Sequence, residues 1–141
     1  MIVRDWEKGD IDNMTVQDSQ LDILSHMDDL DIEPLAEMGV VWTIEHNNDV
    51  LCVCGLSPQW TNRAVAWAVL SETAGKYFIK LHRIIRKLFN SVDYRRIEAT
   101  VDIDFKQGHR WMRMLGFEPE GYMKAYTPSG DDQILYARVR A

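Results

Sequence analysis

The sequence predicts a single α/β domain, and three observations lead to this. Its 141 residues are the usual length of one domain, and its 46% apolar residues with five Trp can fill one core. Short β-rich runs alternate with helical patterns in the order β, α, β, β, β, α, β, α, β, β. No repeat and no linker rich in Pro, Gly or Ser divides the chain. We therefore expect one domain over residues 1–141.

The N-terminal half predicts strands, one or two helices and a hairpin. Apolar residues at helical spacing predict a helix from Ile11 to about Leu30, and residues 28–39 follow as a short helix or loop. The turn-forming residues 46–49, HNND, separate two β-rich runs, which predicts a hairpin. The β-rich runs of this half are Ile2–Trp6, Val40–Glu45, Val50–Leu56 and, after a loop containing Pro58, Ala64–Leu70.

The C-terminal half contains the clearest helix, which begins near Tyr77. Apolar residues at 77, 78, 81, 84, 85, 88 and 89 form one stripe, and Lys and Arg occupy the other faces. Residues 105–115 predict another helix, with Gly116 in the position of a C-terminal glycine. The predicted strands of this half are Arg96–Val101, Glu118–Tyr126 and Gln133–Val139, the last two joined by a turn-rich loop.

The charge distribution is uneven. The net charge is −6, yet residues 76–96 carry seven basic side chains and one acidic one. Such a basic island is typical of an anion site for phosphate or nucleic acid, or of a solvated helix face. Nucleic acid, which the cations Lys80, Arg83, Arg86, Lys87, Arg95 and Arg96 would bind, is the least favoured partner because the chain is acidic overall.

Composition also predicts a soluble, cytoplasmic protein that has no membrane partner and no metal site. No run approaches the roughly 20 apolar residues that span a bilayer, and Met1–Asp10 lacks the pattern of a signal peptide. Cys52 and Cys54 alternate on one face of a predicted strand, which indicates reduced core thiols rather than a disulfide. No second Cys or His pair completes a zinc site.

The segment Gly108–Tyr122, GHRWMRMLGFEPEGY, resembles a signature of the GNAT N-acetyltransferases. In that family a helix ends in Leu-Gly-Phe before a strand that begins near a Glu-Gly pair, and the order of elements agrees over nearly the whole chain. The resemblance extends to small, shortened proteins of tailed bacteriophages, which would place this one in a host cytoplasm. It implies a mixed, mostly antiparallel sheet of about six to seven strands with about four flanking helices and a splayed parallel pair in the middle.

The resemblance also implies acetyl-CoA as co-substrate. Its pantetheine arm would enter between the strands Ala64–Leu70 and Arg96–Val101, and its pyrophosphate would meet amides at the start of the next helix. The loop here, SETAGK, retains one glycine and contains the acidic Glu72, so an ordinary turn capped by Ser71 or Thr73 is the alternative. The residues implied in cofactor binding are Val69, Leu70, Ser71, Thr73, Ala74, Gly75, Lys76 and Phe105.

Two positions depart from the family pattern. A frequent Asn falls on Phe105, and the frequent general-acid Tyr falls on Met112, which cannot protonate a leaving thiolate. Solvent, Tyr122 or Tyr126 would have to replace it. If the protein is catalytic, a substrate amine attacks the thioester carbonyl, and a strand amide near Val69 or Leu70 holds the oxyanion.

Several side chains are candidates for the base in this reaction. Asp102 is the first choice because it follows the carboxyl end of a strand, where open α/β sheets place their sites. His109 is the second for its titration range, although it also fits a capping or solvated role. Each candidate has a structural interpretation as well. The catalytic candidates are Asp102, His109 and Tyr122, with Glu45 and Asp104 as further bases.

The acceptor is an unknown amine or a protein. Acidic residues at 28–33 would attract a cationic amine, or they are a solvated helix and its N-terminus. The predicted function is therefore an acetyl-CoA-dependent N-acetyltransferase. The alternative is a catalytically degenerate binding or structural protein of the same fold, of phage type, acting on a host or virion protein. Exposed strand edges often pair, which leaves a homodimer open.

Overall fold

The computed structural model describes residues 1–17 and 32–140. They form one seven-stranded sheet with the strand order β1-β2-β3-β4-β5-β7-β6. The strands are β1 (Ile2–Asp5), β2 (Val40–His46), β3 (Asp49–Trp60), β4 (Arg63–Leu70), β5 (Arg96–Asp102), β6 (Glu118–Met123) and β7 (Gln133–Val139). Within the described residues there are three α-helices, α1 (Ile32–Met38), α2 (Phe78–Ser91) and α3 (Lys106–Met114), and a 3₁₀-helix, Glu72–Tyr77.

The predicted mixed, mostly antiparallel sheet is confirmed. Strand β2 pairs antiparallel with β1 and β3, and β7 pairs antiparallel with β5 and β6. The parallel pair is β4 with β5, whose ladder joins Arg63–Val65 to Arg96–Glu98, although both strands are longer than this ladder. The chain contacts divide these elements into two compact units, Met1–Ser57 with Trp67–Val92 and Pro58–Ala66 with Asp93–Ala141.

In the first unit, the hairpin and the helical stripe are both found. The β2–β3 turn consists of Asn47 and Asn48, whose φ angles of 51° and 68° suit a two-residue turn of type I′. Helix α2 buries Leu81, Ile85 and Phe89 from the predicted stripe. Each fully buried apolar side chain of this kind stabilises the fold by about 1.5–3 kcal/mol. The cations Lys80, Arg83, Arg86 and Lys87 lie on its exposed faces.

The predicted start of the first helix is wrong. Residues 11–17 form turns and a bend, and Val16 forms an isolated antiparallel bridge with Ser71. The backbone of Thr15 and Gln17 bonds to Glu72 and Leu70 instead of within a helix. Just before this segment, Asp10 is a buried carboxylate that accepts hydrogen bonds from the Arg4 guanidinium, the Glu7 amide and the Thr43 hydroxyl. Burial acts to raise the pKa of Asp10, but these donors outweigh it and lower the pKa. The rest of that predicted helix, and most of the acidic stretch 28–33, lie outside the described residues.

Strand β3 also extends further than predicted. Pro58 lies inside it rather than in a loop. The ladder with β2 ends at Leu56, so the missing N–H of Pro58 removes no hydrogen bond to β2. The turn that follows is reduced to residues 61 and 62.

In the second unit, α3 packs on β5 and β7. Its buried residues include Gly108 and Trp111, and Leu115 and Phe117 follow in the core. Gly116 has a φ of 87°, its N–H donates to the Arg113 carbonyl, and the Phe117 N–H donates to the Met112 carbonyl. These are the two bonds of a Schellman motif, so the predicted C-terminal glycine is confirmed.

Within residues 1–17 and 32–140, no helix combines the length and the apolar character needed to cross a membrane.

Candidate functional site

The cofactor segment, which we define as Val69–Lys76, begins at the buried end of β4. Val69 and Leu70 are both 7% exposed. The Ser71 amide donates to the Leu51 carbonyl at 2.9 Å, and the Leu70 carbonyl accepts from the Gln17 amide at 3.0 Å. These bonds tie the end of the strand to its own unit. Ser71, one of the implied cofactor residues, therefore already donates its N–H to another part of the protein.

A 3₁₀-helix, Glu72–Tyr77, replaces the open phosphate loop that the resemblance implies. The Glu72 amide donates to the Thr15 carbonyl at 2.8 Å, and the Ala74 amide donates to the Ser71 carbonyl at 3.1 Å. Ser71 occupies the N-cap position, but its hydroxyl contacts the Thr73 hydroxyl at 3.0 Å rather than a backbone N–H. Two amides at the helix start are thus already used by the protein.

The outer side of this turn is open. Thr73, Gly75 and Lys76 are exposed, whereas Ala74 is 2% exposed. A Cβ built on Gly75 would meet no atom within 4 Å. Helix α2 follows at once, and its N-terminus favours negative charge. Gly75 and Lys76 therefore provide room and one cation for an anionic ligand, and Glu72 is exposed in the same turn.

In the second unit, Asp102 ends β5. Its Oδ1 accepts from the Asp104 amide at 2.9 Å, and its carbonyl accepts from the Phe105 amide at 3.0 Å. The carboxylate lines a concavity of about 310 Å³. The residues of that concavity are Asp102, Ile103, Asp104, Gly130, Asp131 and Asp132. Asp102 is thus accessible and lies among carboxylates that would favour a cation.

Phe105 packs inside this unit. It sits at the N-cap position of α3, and its ring would lie 2.6 Å from a Cβ on Gly108. Phe105 and Val101 together leave room only for a glycine at position 108. Met112, the other replaced position, is half-buried on α3.

His109 has both ring nitrogens engaged. Nε2 lies 3.1 Å from the Ile103 carbonyl oxygen, and Nδ1 lies 2.7 Å from the Tyr136 hydroxyl. A carbonyl oxygen can only accept a hydrogen bond, so Nε2 carries the ring proton. In a neutral ring, Nδ1 then accepts a hydrogen bond from the Tyr136 hydroxyl. Tyr136 is 2% exposed. To take a proton from a substrate, His109 would first have to give up one of these bonds.

Tyr122 is exposed on β6 and donates its hydroxyl proton to Asp132 Oδ2. The bond to Asp132, together with smaller effects of desolvation and nearby charge, raises the pKa of Tyr122. The same bond, with a second from the Ala125 amide, lowers the pKa of Asp132. Asp132 also lines the concavity of Asp102. The further candidate base, Glu45, accepts a bond of 3.3 Å from Arg4.

Sequence reasoning missed two partners in this unit, Asp132 and Tyr136. Each determines what a candidate catalytic residue can do, because Asp132 binds Tyr122 and Tyr136 binds His109. The acidic pair at 131–132 in a turn-rich loop was visible, but its pairing depends on the β6–β7 register. Within the residues that the structure describes, no group of three or more His, Cys, Asp or Glu could hold a metal.

Comparison with known proteins gives a structural likeness alone. No protein-family model and no curated protein matches the chain. Among solved structures, an IAA acetyltransferase from Bacillus cereus has a TM-score of 0.73 at 14% identity, over 99% of this chain and 99% of that one.

Two further structures agree. A ribosomal-protein-alanine N-acetyltransferase from Brucella melitensis has a TM-score of 0.68 at 13% identity, over 99% of this chain and 100% of that one. An acetyltransferase of the GNAT family from Bacillus anthracis has a TM-score of 0.67 at 17% identity, over 97% and 93%. The chain therefore has the fold of the GNAT N-acetyltransferases.

Proposed function

We propose that the protein binds acetyl-CoA and transfers its acetyl group to an amine. The observation that carries the proposal is the GNAT fold, which extends over 99% of the chain in the likeness to acetyltransferases of known structure. The open turn at Gly75 and Lys76 supports it, because a pyrophosphate needs close backbone approach and a cation at a helix start. Since Ser71, Glu72 and Ala74 use their amides internally, Gly75 and Lys76 are the proposed phosphate contacts.

The reaction follows from the chemistry of amines and thioesters. A free amine attacks the acetyl carbonyl, so that a C–N bond forms and the C–S bond breaks. An alkyl amine with a pKa of about 10 is protonated at pH 7, so a base must first remove a proton. Asp102 is the proposed base, directly or through water, because its carboxylate lines a concavity. Near Val69 or Leu70, a backbone amide would stabilise the oxyanion.

The leaving thiolate needs only modest help, since thiols have pKa values of about 8.5. Tyr122 or solvent would supply the proton that Met112 cannot. Tyr122 is exposed but donates to Asp132, so it would have to exchange that acceptor for the thiolate.

A degenerate protein of the same fold is the second candidate function. It is favoured by His109, whose two ring nitrogens bind Ile103 and Tyr136, and by the apolar Phe105 and Met112. Such a protein would bind acetyl-CoA or a protein partner without turnover. Binding and turnover must therefore be measured separately.

The first experiment is calorimetric titration with acetyl-CoA at moderate salt, with ATP as the control. We expect micromolar binding that is selective over ATP. Gly75→Asp should abolish the selectivity over ATP by placing a carboxylate against the pyrophosphate, while Gly75→Ala, the matched control, should keep acetyl-CoA binding within about threefold of wild type. Both variants should fold, because the site around Gly75 is empty.

The outcomes separate the alternatives. Wild-type protein that fails to bind acetyl-CoA would overturn the proposed function. Equal binding by Gly75→Asp and wild type would show that the assigned segment is wrong. Binding without release of CoA thiol across a panel of amines, followed with a thiol reagent, would favour the degenerate protein.

A further inference from the structure

A second concavity lies in the second unit, at the opposite end of β5 from Asp102. It has a volume of about 410 Å³, within the range of small-ligand pockets. It forms where β3 turns into β4, where β5 begins and where β7 ends. We call it the arginine groove, and its lining residues are Trp60, Asn62, Arg63, Arg95, Arg96 and Val139.

The groove holds a fixed, exposed aromatic platform. Trp60 is 64% exposed, which is unusual for the largest apolar side chain. The Arg63 guanidinium carbon lies 4.6 Å from the centroid of the Trp60 ring, and Arg63 Nε donates a hydrogen bond to Glu98 Oε2 at 2.6 Å. Glu98 is itself buried. A buried carboxylate therefore fixes the cation that covers part of the indole, and the remaining indole surface faces solvent.

The groove also has a positive charge available to a ligand. Arg96 makes a bidentate pair with Glu120, at 2.5 and 3.2 Å, and contacts Glu98 at 3.4 Å. Arg63 and Arg96 are thus compensated by two carboxylates. Arg95 is exposed, and within the described residues its hydrogen bond uses Nε, which donates to the Arg140 carbonyl at 3.4 Å. Its two terminal nitrogens have no partner among residues 1–17 and 32–140, so they can bind an anion.

The carboxylates that pair with Arg63 and Arg96 stay ionised at neutral pH. The hydrogen bond from Arg63, followed by the nearby charges of Arg63 and Arg96, lowers the pKa of Glu98. Glu120 has its pKa lowered chiefly by its hydrogen bond from Arg96. The carboxylates that fix Arg63 and Arg96 therefore stay charged, and among the described residues no carboxylate forms a salt bridge with Arg95.

The geometry points to a binding site for a nucleotide unit, with the base stacked on Trp60 and the phosphate bound by Arg95. A planar base suits the open indole face, because base–aromatic stacking needs no particular base. A phosphate suits two adjacent terminal N–H donors of one guanidinium. The exposed Asn62 amide lines the same groove and can bind either part.

In the sequence, Trp60 lies near Arg63 but far from Arg95 and Arg96. Trp60 lies 35 residues before Arg95 in the chain, and the β3–β4 turn and the β4–β5 ladder bring it into the same groove. An acidic peptide would satisfy Arg95 but would leave the indole face without a partner. The groove thus favours a nucleotide, either free or as part of a single strand. The inference is independent of acetyl transfer.

The test is calorimetric titration of the full chain with ADP and, separately, with a short oligothymidylate. Base–aromatic stacking contributes about 1–3 kcal/mol, so Trp60→Leu should weaken binding by about five- to 150-fold. Trp60→Phe, which keeps an aromatic face, should bind within about threefold of wild type. Arg95→Gln should weaken binding at least about tenfold, and Arg95→Lys less. Arg110→Gln, an exposed arginine outside the groove, is the charge control.

Either ligand can support the inference. ADP binding that depends on Trp60 and Arg95 indicates a free nucleotide. Oligothymidylate binding with the same dependence, together with a steep decrease of affinity with salt, indicates a strand. The inference is overturned if neither ligand binds, or if binding does not change in Trp60→Leu and Arg95→Gln. It is also overturned if a polyglutamate peptide binds and neither nucleotide does. Because ADP is also part of CoA, Gly75→Asp should leave this binding unchanged and so separates it from the cofactor segment.

Discussion

The cofactor segment and the region from Asp102 to His109 differ in how many of their polar groups already form hydrogen bonds within the protein. On the outer side of the cofactor segment, Gly75 is surrounded by open space and Lys76 is exposed. In the Asp102–His109 region, Asp102 accepts a hydrogen bond from a backbone amide, and both ring nitrogens of His109 form hydrogen bonds. An open segment can gain a ligand with little rearrangement, whereas a bonded group must first lose a contact. Substitutions should therefore affect binding in the first region and stability in the second.

Two glycines give the largest expected contrast. In Gly108→Ala the new Cβ would lie 2.6 Å from the Phe105 ring and 2.7 Å from a Val101 methyl group. We expect a loss of about 3 kcal/mol in the free energy of unfolding, the upper end for overpacking, despite the better helix propensity of Ala. Gly75→Ala is the matched control and should change stability by less than about 0.5 kcal/mol. Urea denaturation of both variants measures the difference.

Equal stability of the two variants would break the comparison. It would mean that Phe105 and Val101 move aside without cost, so that the start of α3 is looser than its contacts indicate. In that case Phe105 could also turn toward a ligand, as the resemblance to the family implies for this position.

Local sequence signals predicted the elements that depend on neighbours in the chain. The HNND turn, the stripe of α2 and Gly116 each involve contacts within a few residues, and all three were found. The 3₁₀-helix at Glu72 depends instead on carbonyls at Thr15 and Leu51, which no local spacing reveals. For the same reason the sequence could not show that the backbone of residues 15–17 bonds to the distant residues 70–72 instead of forming a helix.

The sequence proposes where a site would lie, but it does not show how the side chains there are paired. The carboxyl end of β5 was proposed as the place of the base from the order of elements, and the start of α2 as the place of the cofactor from the resemblance to the GNAT family. Whether a side chain is free there depends on register. The β5–β7 register places Tyr136 opposite Ala99, from where its hydroxyl binds His109. A one-residue shift would have released His109, and no residue type in the sequence marks that difference.

His109 gives the next effect in size. His109→Ala leaves the buried Tyr136 hydroxyl without its acceptor, and we expect a loss of about 2 kcal/mol in the free energy of unfolding. In a double-mutant cycle with Tyr136→Phe, the coupling energy should be about 1 kcal/mol. Arg110→Ala, the exposed neighbour on α3, is the control and should change stability by less than about 0.5 kcal/mol. Acetyl-CoA binding should not change. Unchanged stability combined with lost turnover would instead identify His109 as a catalytic residue.

The smallest effect concerns Tyr122, which is exposed yet bonded to Asp132. Because Asp132 accepts a hydrogen bond from the Tyr122 hydroxyl, the phenol should stay protonated above pH 10. Asp132→Asn should lower the pKa of Tyr122 toward 10. Titration of tyrosine Cζ signals by ¹³C NMR measures this, with Tyr122→Phe used to assign the signal. An unchanged pKa in Asp132→Asn would show that the hydrogen bond does not persist in solution. The Tyr122 hydroxyl would then be as available to a ligand as the exposed Lys76 of the cofactor segment. If the shift is found, the phenol is a weaker acid than an ordinary tyrosine. The thiolate would then take its proton from solvent more readily than from Tyr122.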